Sequence, residues 1–99
     1  MREKGVVKEE IIERIKRPKL YKVIMHNDDY TTMEFVIYIL TNVFNKSVSE
    51  ATRIMLDVHK KGSGIAGVYP KDLALTKIDL VYKAAVQQGY PLKLSLKEE

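Results

Sequence analysis

Two helix-start signals constrain this chain more than any other feature of its sequence. Each is a hydroxyl residue followed three positions later by glutamate: Thr31 with Glu34, and Ser47 with Glu50. In such a capping box each side chain satisfies a backbone N–H that the helix itself leaves without an acceptor. Apolar residues follow both boxes, so the sequence predicts two successive helices, the second ending at Gly62 as its C-cap.

The two predicted helices differ in how much of their surface is apolar. The first is apolar on nearly all sides, which is typical of a helix that packs against a sheet and neighbouring helices. The second carries a single apolar stripe. The side chains expected in the core are Met33, Phe35, Val36, Ile37, Ile39, Leu40, Val43 and Phe44 in the first helix, and Val48, Ala51, Ile54, Met55 and Val58 in the second.

Three segments have the composition of strands. Residues 20–26 are rich in Val, Ile and Tyr, and residues 64–69 form a shorter apolar run. Pro70 ends the second strand, because proline lacks the N–H that a strand ladder needs. Residues 91–97 alternate between apolar and polar side chains, which predicts a half-buried strand. The side chains on its apolar face are Leu92, Leu94 and Leu96.

A third helix is predicted over residues 73–88, with Gly89 as its end. The element order is then strand, helix, helix, strand, helix, strand. Three scattered strands are too few for a doubly wound sheet, so we expect an α+β fold in which a three-stranded antiparallel sheet packs on three helices, as one core domain over residues 20–99. Residues 1–19 are expected to form a mobile N-terminal arm or a marginal helix. The inward side chains expected in the third helix are Ile78, Val81, Tyr82, Ala85 and Val86.

Composition limits the environment and the chemistry of the chain. Cysteine is absent, which excludes disulfides and thiolate metal sites and is compatible with a reducing cytoplasm. Neither a signal peptide nor an apolar stretch of membrane-spanning length is recognisable. We therefore expect a soluble, cytoplasmic protein that does not bind membranes.

The net charge of +4 is concentrated in the N-terminal segment. Residues 1–19 carry seven of the 17 basic and four of the 13 acidic residues, which leaves residues 20–99 with a net charge of only +1. In the core the two signs are interleaved, whereas a nucleic-acid-binding protein usually concentrates Lys and Arg on one face. We expect no nucleic-acid partner.

Residues 62–67 (GSGIAG) match the G-x-G-x-x-G pattern of dinucleotide-binding proteins. That pattern binds a pyrophosphate only where a strand precedes it and a helix follows. Here a predicted helix precedes it and a predicted strand follows. The glycines therefore indicate a helix end and a turn, and no nucleotide cofactor is expected.

The polar stretch Asn27, Asp28 and Asp29 separates two apolar segments. Asn and Asp favour turns because their side chains bond the local backbone, so a purely structural turn is the favoured interpretation from these residues alone. A carboxylate pair for acid–base chemistry, or a metal site that includes His26 or His59, is less favoured. The chain has only two histidines, and no Ser, Thr or Cys lies in a recognisable nucleophile context.

Two further residue types have both a structural and a functional interpretation. His59 lies four residues after Met55 on the same helix face, at the edge of the apolar stripe. A histidine near a helix C-terminus is more often a surface or capping residue, and it gains functional weight only if the helix brings it to the turn at Asn27. Met33 and Met55 are more often core residues, although methionine is well suited to line an adaptable pocket.

Four segments together resemble the ClpS adaptor family of the bacterial Clp protease system. They are residues 27–36 (NDDYTTMEFV), 55–59 (MLDVH), 67–69 (GVY) and 76–77 (TK), and the resemblance covers residues 20–96, about four fifths of the chain. It implies an adaptor, not an enzyme, without metal or cofactor. Such an adaptor binds substrate proteins that begin with Phe, Tyr, Trp or Leu and delivers them to a hexameric AAA+ unfoldase, either ClpA-like or ClpC-like. We expect it to be a monomer.

The same resemblance implies roles for individual residues. Ligands for the substrate's free α-amino group would be Asn27, Asp28 and His59, and Thr31 would contact the substrate backbone. The implied side-chain pocket is Met33, Val36, Met55 and Leu92, with Met33 as a gate against β-branched residues. Asp72 and Lys77 would face the unfoldase, and the arm over residues 1–19 would enter it.

Two other functions compete with this interpretation. One is a non-catalytic protein-interaction module in which the NDD turn has no ligand, and the other is a small hydrolase that uses Asp28 and His59. Peptides that differ only in N-terminal acetylation separate the first from the adaptor, and turnover of a substrate would identify the second.

Overall fold

The computed structural model describes residues 19–99, so the arm predicted over residues 1–19 lies, apart from Lys19, outside the described residues. Six elements follow one another along the chain. They are β1 (Leu20–His26), α1 (Met33–Asn42), α2 (Val48–Lys61), β2 (Ser63–Pro70), α3 (Lys71–Gln88) and β3 (Lys93–Glu98).

Strand β1 is the centre of the sheet. It pairs antiparallel with β2 on one side and with β3 on the other, which gives the order β2-β1-β3. The register of the β1–β2 pair shifts between Val23 and Ile24, where the extra residue Ala66 forms a bulge in β2. The predicted α+β fold, with its three-stranded antiparallel sheet and three helices in this order, is confirmed.

One face of the sheet forms the core with the three helices. Side chains alternate along a strand, so Val23 and Met25 of β1 point to this face together with Leu94 of β3. All three are buried, and they belong to one continuous apolar cluster. The helices contribute Phe35, Val36, Ile39 and Leu40 from α1, Ala51, Ile54, Met55 and Val58 from α2, and Ala74, Ile78, Val81 and Ala85 from α3.

The caps of α1 and α2 correct one sequence prediction and confirm another. The N-cap of α1 is Thr32, whose hydroxyl accepts the N–H of Phe35, and not the predicted Thr31. Ser47 caps α2 as predicted by accepting the N–H of Glu50, whereas the Glu50 side chain pairs with Arg53 and does not complete the predicted box. Helix α2 ends at Gly62 in the left-handed conformation, with φ of 90°, which glycine adopts without a Cβ clash.

A second glycine lets α2 lie close against β2. A Cβ at Gly64 would come within 3.0 Å of Val58 Cγ2 and 3.3 Å of the carbonyl oxygen of Ile54. The absence of a side chain therefore permits the contact between the helix and the strand. This packing fixes where the C-terminal end of α2 lies relative to the sheet.

Some residues expected in the core are exposed. Val48 in the first turn of α2 and Val86 in the last turn of α3 are 69% and 78% exposed, because both lie beyond the edge of the sheet-facing core. Tyr82 is partly exposed and donates its hydroxyl to the carbonyl of Leu94, so it covers part of the free edge of β3. None of the helices within residues 19–99 is long and apolar enough to cross a membrane.

Candidate functional site

The turn after β1 is joined directly to the end of α2. The backbone N–H of Asn27 donates a hydrogen bond of 2.9 Å to the carbonyl oxygen of Gly62, the C-cap of α2. His59 lies three residues before that glycine, in the last turn of the helix. The fold therefore brings His59 to the NDD turn, which was the condition for giving this histidine a functional interpretation.

The turn, α1 and α2 surround a cleft of about 260 Å³. This volume lies slightly below the range of small-molecule sites, and it is suited to one side chain with its attached polar group. The residues that line it are Asn27, Asp28, Asp29, Thr31, Met33, Val36, Met55, Val58 and His59.

Asp28 is held in place by the residues that follow it in the turn. Its Oδ1 accepts the N–H groups of Tyr30 at 2.8 Å and Thr31 at 2.7 Å, and its Oδ2 accepts the hydroxyl of Thr31 at 2.7 Å. An ionised carboxylate offers about four acceptor positions, so these bonds leave roughly one for a ligand. The Thr31 hydroxyl, expected to contact substrate, is a donor to Asp28.

The same contacts favour the charged form of the carboxylate. Partial burial raises the pKa of Asp28, but the hydrogen bonds from the backbone and side chain of Thr31 and from the backbone of Tyr30 outweigh it and lower the pKa below its ordinary value of 3.8. Asp28 is therefore an anion over the whole physiological pH range. A fixed negative charge at the edge of the cleft favours a cationic ligand.

The interior of the cleft is apolar. Val36 of α1 and Met55 of α2 are only 6% and 7% exposed, and Val58 is also buried. Met33 lies one helical turn before Val36 on the same face of α1, and with 47% of its surface exposed it is positioned at the mouth. The cleft thus combines a polar rim with an apolar well, lined on two sides by flexible methionine side chains.

Most of the site residues predicted from the sequence line this cleft, together with two residues that were not predicted. Seven of the eight side chains expected to bind substrate line this one cleft, while Leu92 is buried in the core, 4% exposed, and does not line it. Asp29 and Val58 also line the cleft but were not among the expected site residues. Asp29 adjoins Asp28 and Val58 adjoins His59, so proximity along the chain was the available signal.

The two residues expected at the unfoldase surface both lie on α3, away from the cleft. Asp72 is exposed in the first turn of that helix. Lys77 is half-buried and donates to the carbonyl oxygen of Val43 at 2.6 Å, with its ammonium 5.2 Å from the ring centre of Tyr69. Lys77 therefore also links α3 to the end of α1.

The cleft does not have the ligand set of a metal site. Within residues 19–99 no three side chains from His, Asp and Glu are grouped closely enough to hold a metal ion. The cleft has hydrogen-bond acceptors on one side and aliphatic and thioether groups on the other. This arrangement is suited to binding a ligand that has both a polar and an apolar part.

The family model described as ATP-dependent Clp protease adaptor protein ClpS matches residues 16–95. This chain belongs to the ClpS family. The resemblance found in the NDD, MLDVH and GVY segments is thereby confirmed, and ClpS proteins are named as adaptors of Clp proteases.

Individual ClpS proteins cover nearly the same length. The chain is 65% identical over 85 residues to the ATP-dependent Clp protease adapter protein ClpS of Clostridium acetobutylicum, covering 86% of this chain and 84% of that protein. It is 54% identical to ClpS of Acetivibrio thermocellus over 99 residues, the full length of both proteins.

A solved ClpS structure has the same fold. The structure of Agrobacterium tumefaciens ClpS2 bound to L-phenylalaninamide superimposes with a TM-score of 0.79 at 40% identity, covering 84% of this chain and all of that one. The ligand of that protein is an amino-acid amide, which carries a free α-amino group next to an aromatic side chain.

Proposed function

We propose that this ClpS-family chain captures proteins whose first residue is Phe, Tyr, Trp or Leu and delivers them to a Clp AAA+ unfoldase for ATP-dependent degradation. The observation that carries the proposal is the cleft in which Asn27, Asp28 and His59 border an apolar well. Its support from outside the chain is that a relative with the same fold is bound to L-phenylalaninamide.

The polar rim suits an α-ammonium group. Such a group has one positive charge and three N–H donors, and an amide oxygen, a carboxylate and a neutral imidazole nitrogen can each accept one of them. Charge-assisted bonds of this kind contribute roughly 1.5 to 3 kcal/mol each. An acetylated terminus has lost the charge and two donors, so it would leave acceptors in the cleft without partners and be rejected.

The apolar well suits the first side chain of the substrate. Burying a Leu or Phe side chain contributes about 1.5 to 3 kcal/mol. Set against an association cost of at least about 4 kcal/mol, these contributions together reach an affinity of about the micromolar level at most. Moderate affinity is what an adaptor that must release its substrate requires.

The remaining parts of the proposal concern the partner and the setting. We propose that the chain acts as a monomer without catalytic activity, and that Asp72 on the exposed surface of α3 faces a hexameric ClpA-like or ClpC-like unfoldase. Lys77 is proposed to lie at the same surface through its aliphatic stem, since its ammonium is bonded to Val43. Because the unfoldase consumes ATP, the proposed location is the cytoplasm.

The decisive experiment compares two peptides in a fluorescence-anisotropy titration of the full chain. One begins with a free Leu or Phe, and the other is the same peptide with an acetylated N-terminus. We expect saturable binding of the first and none of the second. The proposal is overturned if both peptides bind with equal affinity or if neither peptide binds.

A purely structural NDD turn is the alternative that a specific observation favours. The three hydrogen bonds from Tyr30 and Thr31 to Asp28 would stabilise this turn with or without a ligand. They do not explain why the same turn borders an apolar well together with His59. The acetylation experiment separates the two functions, because a structural turn does not distinguish the peptides.

A further inference from the structure

The sheet has a second face, which no helix of residues 19–99 covers. Every second side chain of β1 points away from the core, among them Lys22 and Ile24. On β2 the matching side chains are Ile65 and Val68, which are 46% and 38% exposed. We call this surface the outer face, and its principal side chains are Lys22, Ile24, His26, Ile65, Val68, Lys93 and Lys97.

Cations lie directly opposite one another on the outer face. In the β1–β3 pairing Lys22 faces Lys97, so two ammonium-bearing side chains oppose each other, and a third lysine, Lys93, lies opposite His26. Like charges in opposing cross-strand positions destabilise a sheet. The three strands place no Asp or Glu on this face, since Glu98 pairs with Tyr21 and belongs to the other one. An anionic partner would relieve the repulsion between these strands.

A groove with an apolar floor and a charged wall begins at Ile24, two residues after Lys22 on the same face of β1. It has a volume of about 310 Å³ and lies where the outer face meets α2, with Ile24 and Ile65 among its lining residues. Its charged wall is Arg53, Asp57 and Lys61. The Asp57 carboxylate lies 3.1 Å from Arg53 Nη1 and 3.5 Å from Lys61 Nζ, and Arg53 also pairs with Glu50, so the charges of this wall balance one another. The unbalanced positive charge of the outer face therefore comes from the strand lysines.

We propose that the outer face binds an acidic, amphipathic segment of a partner protein, with an aliphatic side chain in the groove and carboxylates over the lysine pair. Charge complementarity and the groove together define this occupant. Nucleic acid fits less well, because the strands place no Phe, Tyr or Trp on this face on which a base could stack, and the His26 ring is bonded to Ser95.

The test is an NMR titration of the ¹⁵N-labelled full chain with an N-acetylated peptide of alternating Glu and Leu. Acetylation removes the α-amino group that the cleft is proposed to bind. Shifts at the outer face and shifts at the cleft are read from different amides, so failure of this proposal and failure of the proposed adaptor function can be told apart. We expect saturable shifts at the amides of Lys22, Ile24 and Ile65. Shifts confined to α3 or to the cleft, an equal response to the peptide with Lys in place of Glu, or tighter binding of a single-stranded oligonucleotide overturns the proposal.

The Lys97→Glu variant gives a second readout that a nonspecific charge effect does not share. It replaces a repulsive cross-strand pair with an attractive one, so it should raise Tm by about 1 to 4 °C. It should also lower the affinity for the acidic peptide roughly tenfold. The control with the same charge change is Lys83→Glu on α3, at a surface lysine paired with Asp79, which should leave peptide binding unchanged. Peptide affinity that is unchanged by Lys97→Glu, or reduced equally by both variants, contradicts the assignment.

Discussion

The hydroxyl of Thr31 donates a hydrogen bond of 2.7 Å to Oδ2 of Asp28, while the N–H of the same threonine donates to Oδ1 at 2.7 Å. One residue thus orients both oxygens of the carboxylate that borders the cleft. The turn and the proposed ligand site are for this reason not alternatives in structural terms. The bonds that shape the turn also hold the anion where an α-ammonium would meet it.

Replacing Asp28 separates the charge from the turn. Asp28→Asn removes the negative charge but keeps one oxygen that can accept the N–H groups of Tyr30 and Thr31, so we expect at least a tenfold loss of affinity for a Leu-initiated peptide with little change in stability. Asp28→Ala should lose binding and also about 1 to 2 kcal/mol of unfolding free energy. Peptide titration and urea unfolding measure the two effects.

The control for Asp28→Asn is Asp79→Asn on α3. Asp79 is an exposed carboxylate whose partner is Lys83, remote from the cleft. The Asp79→Asn variant should bind the peptide with the affinity of the unmodified chain. If Asp28→Asn bound the peptide normally, the carboxylate would have a structural role only.

Thr31→Val tests whether the hydroxyl positions Asp28. Because the pKa of Asp28 is lower in the folded chain than its ordinary value, its contribution to stability is present above that value and is lost as the pH falls through the folded pKa. Removing the hydroxyl raises the folded pKa, so acid should destabilise the variant at a higher pH. We also expect a loss of about 1 kcal/mol near neutral pH.

Carbon-detected NMR of the Asp28 carboxyl group during a pH titration measures the effect of Thr31→Val. Thr31→Ser is the matched control, since it keeps the donor and should preserve both the pKa of Asp28 and peptide affinity. An unchanged Asp28 pKa in the valine variant would assign the Thr31 hydroxyl another role.

Most of the fold follows from local signals in the sequence. The strand at Leu20–His26 and the helix ends at Gly62 and Gly89 have the predicted positions, because strong β-formers and left-handed glycines depend little on tertiary context. The N-cap of α1 is Thr32, one residue after the predicted Thr31. Two consecutive threonines can both cap a helix, and Asp28 takes the hydroxyl of the first, which leaves Thr32 to cap.

The site could be predicted less completely than the fold. The sequence identifies His59 and Asn27 as candidates, but they are brought together by the pairing of β1 with β2 and by the hydrogen bond from Asn27 to Gly62, whose donor and acceptor are 35 positions apart. Leu92 was expected in the side-chain pocket but is buried in the core and does not line the cleft. An alternating pattern indicates which face of a strand is apolar, but not which neighbouring cavity a side chain lines.

Met33→Ala tests the selectivity of the cleft mouth. Met33 is nearly half exposed, so its truncation should cost little stability, whereas truncating the buried Met55 should cost about 2 to 5 kcal/mol. A wider mouth should admit peptides that begin with Val or Ile, which the unmodified chain is expected to reject. Titrations with peptides that differ only in their first residue measure this change.

The control for Met33→Ala is Leu80→Ala on α3, an apolar residue of similar exposure that is not part of the cleft. It should leave the order of preference among first residues unchanged. Unchanged selectivity in Met33→Ala would remove Met33 from the role of gate.

Acidification tests the contribution of His59. A protonated imidazole has no acceptor for an ammonium and adds a like charge, so peptide affinity should fall as the pH is lowered from about 8 to about 5. His59→Gln should bind more weakly at about pH 8 and lose this dependence. His26→Gln is the matched control, because His26 is the only other histidine and its Nε2 is 2.6 Å from Ser95 Oγ, outside the cleft. That variant should keep the pH dependence of the unmodified chain, and an affinity that is flat across this range in the unmodified chain would exclude His59 from the ammonium site.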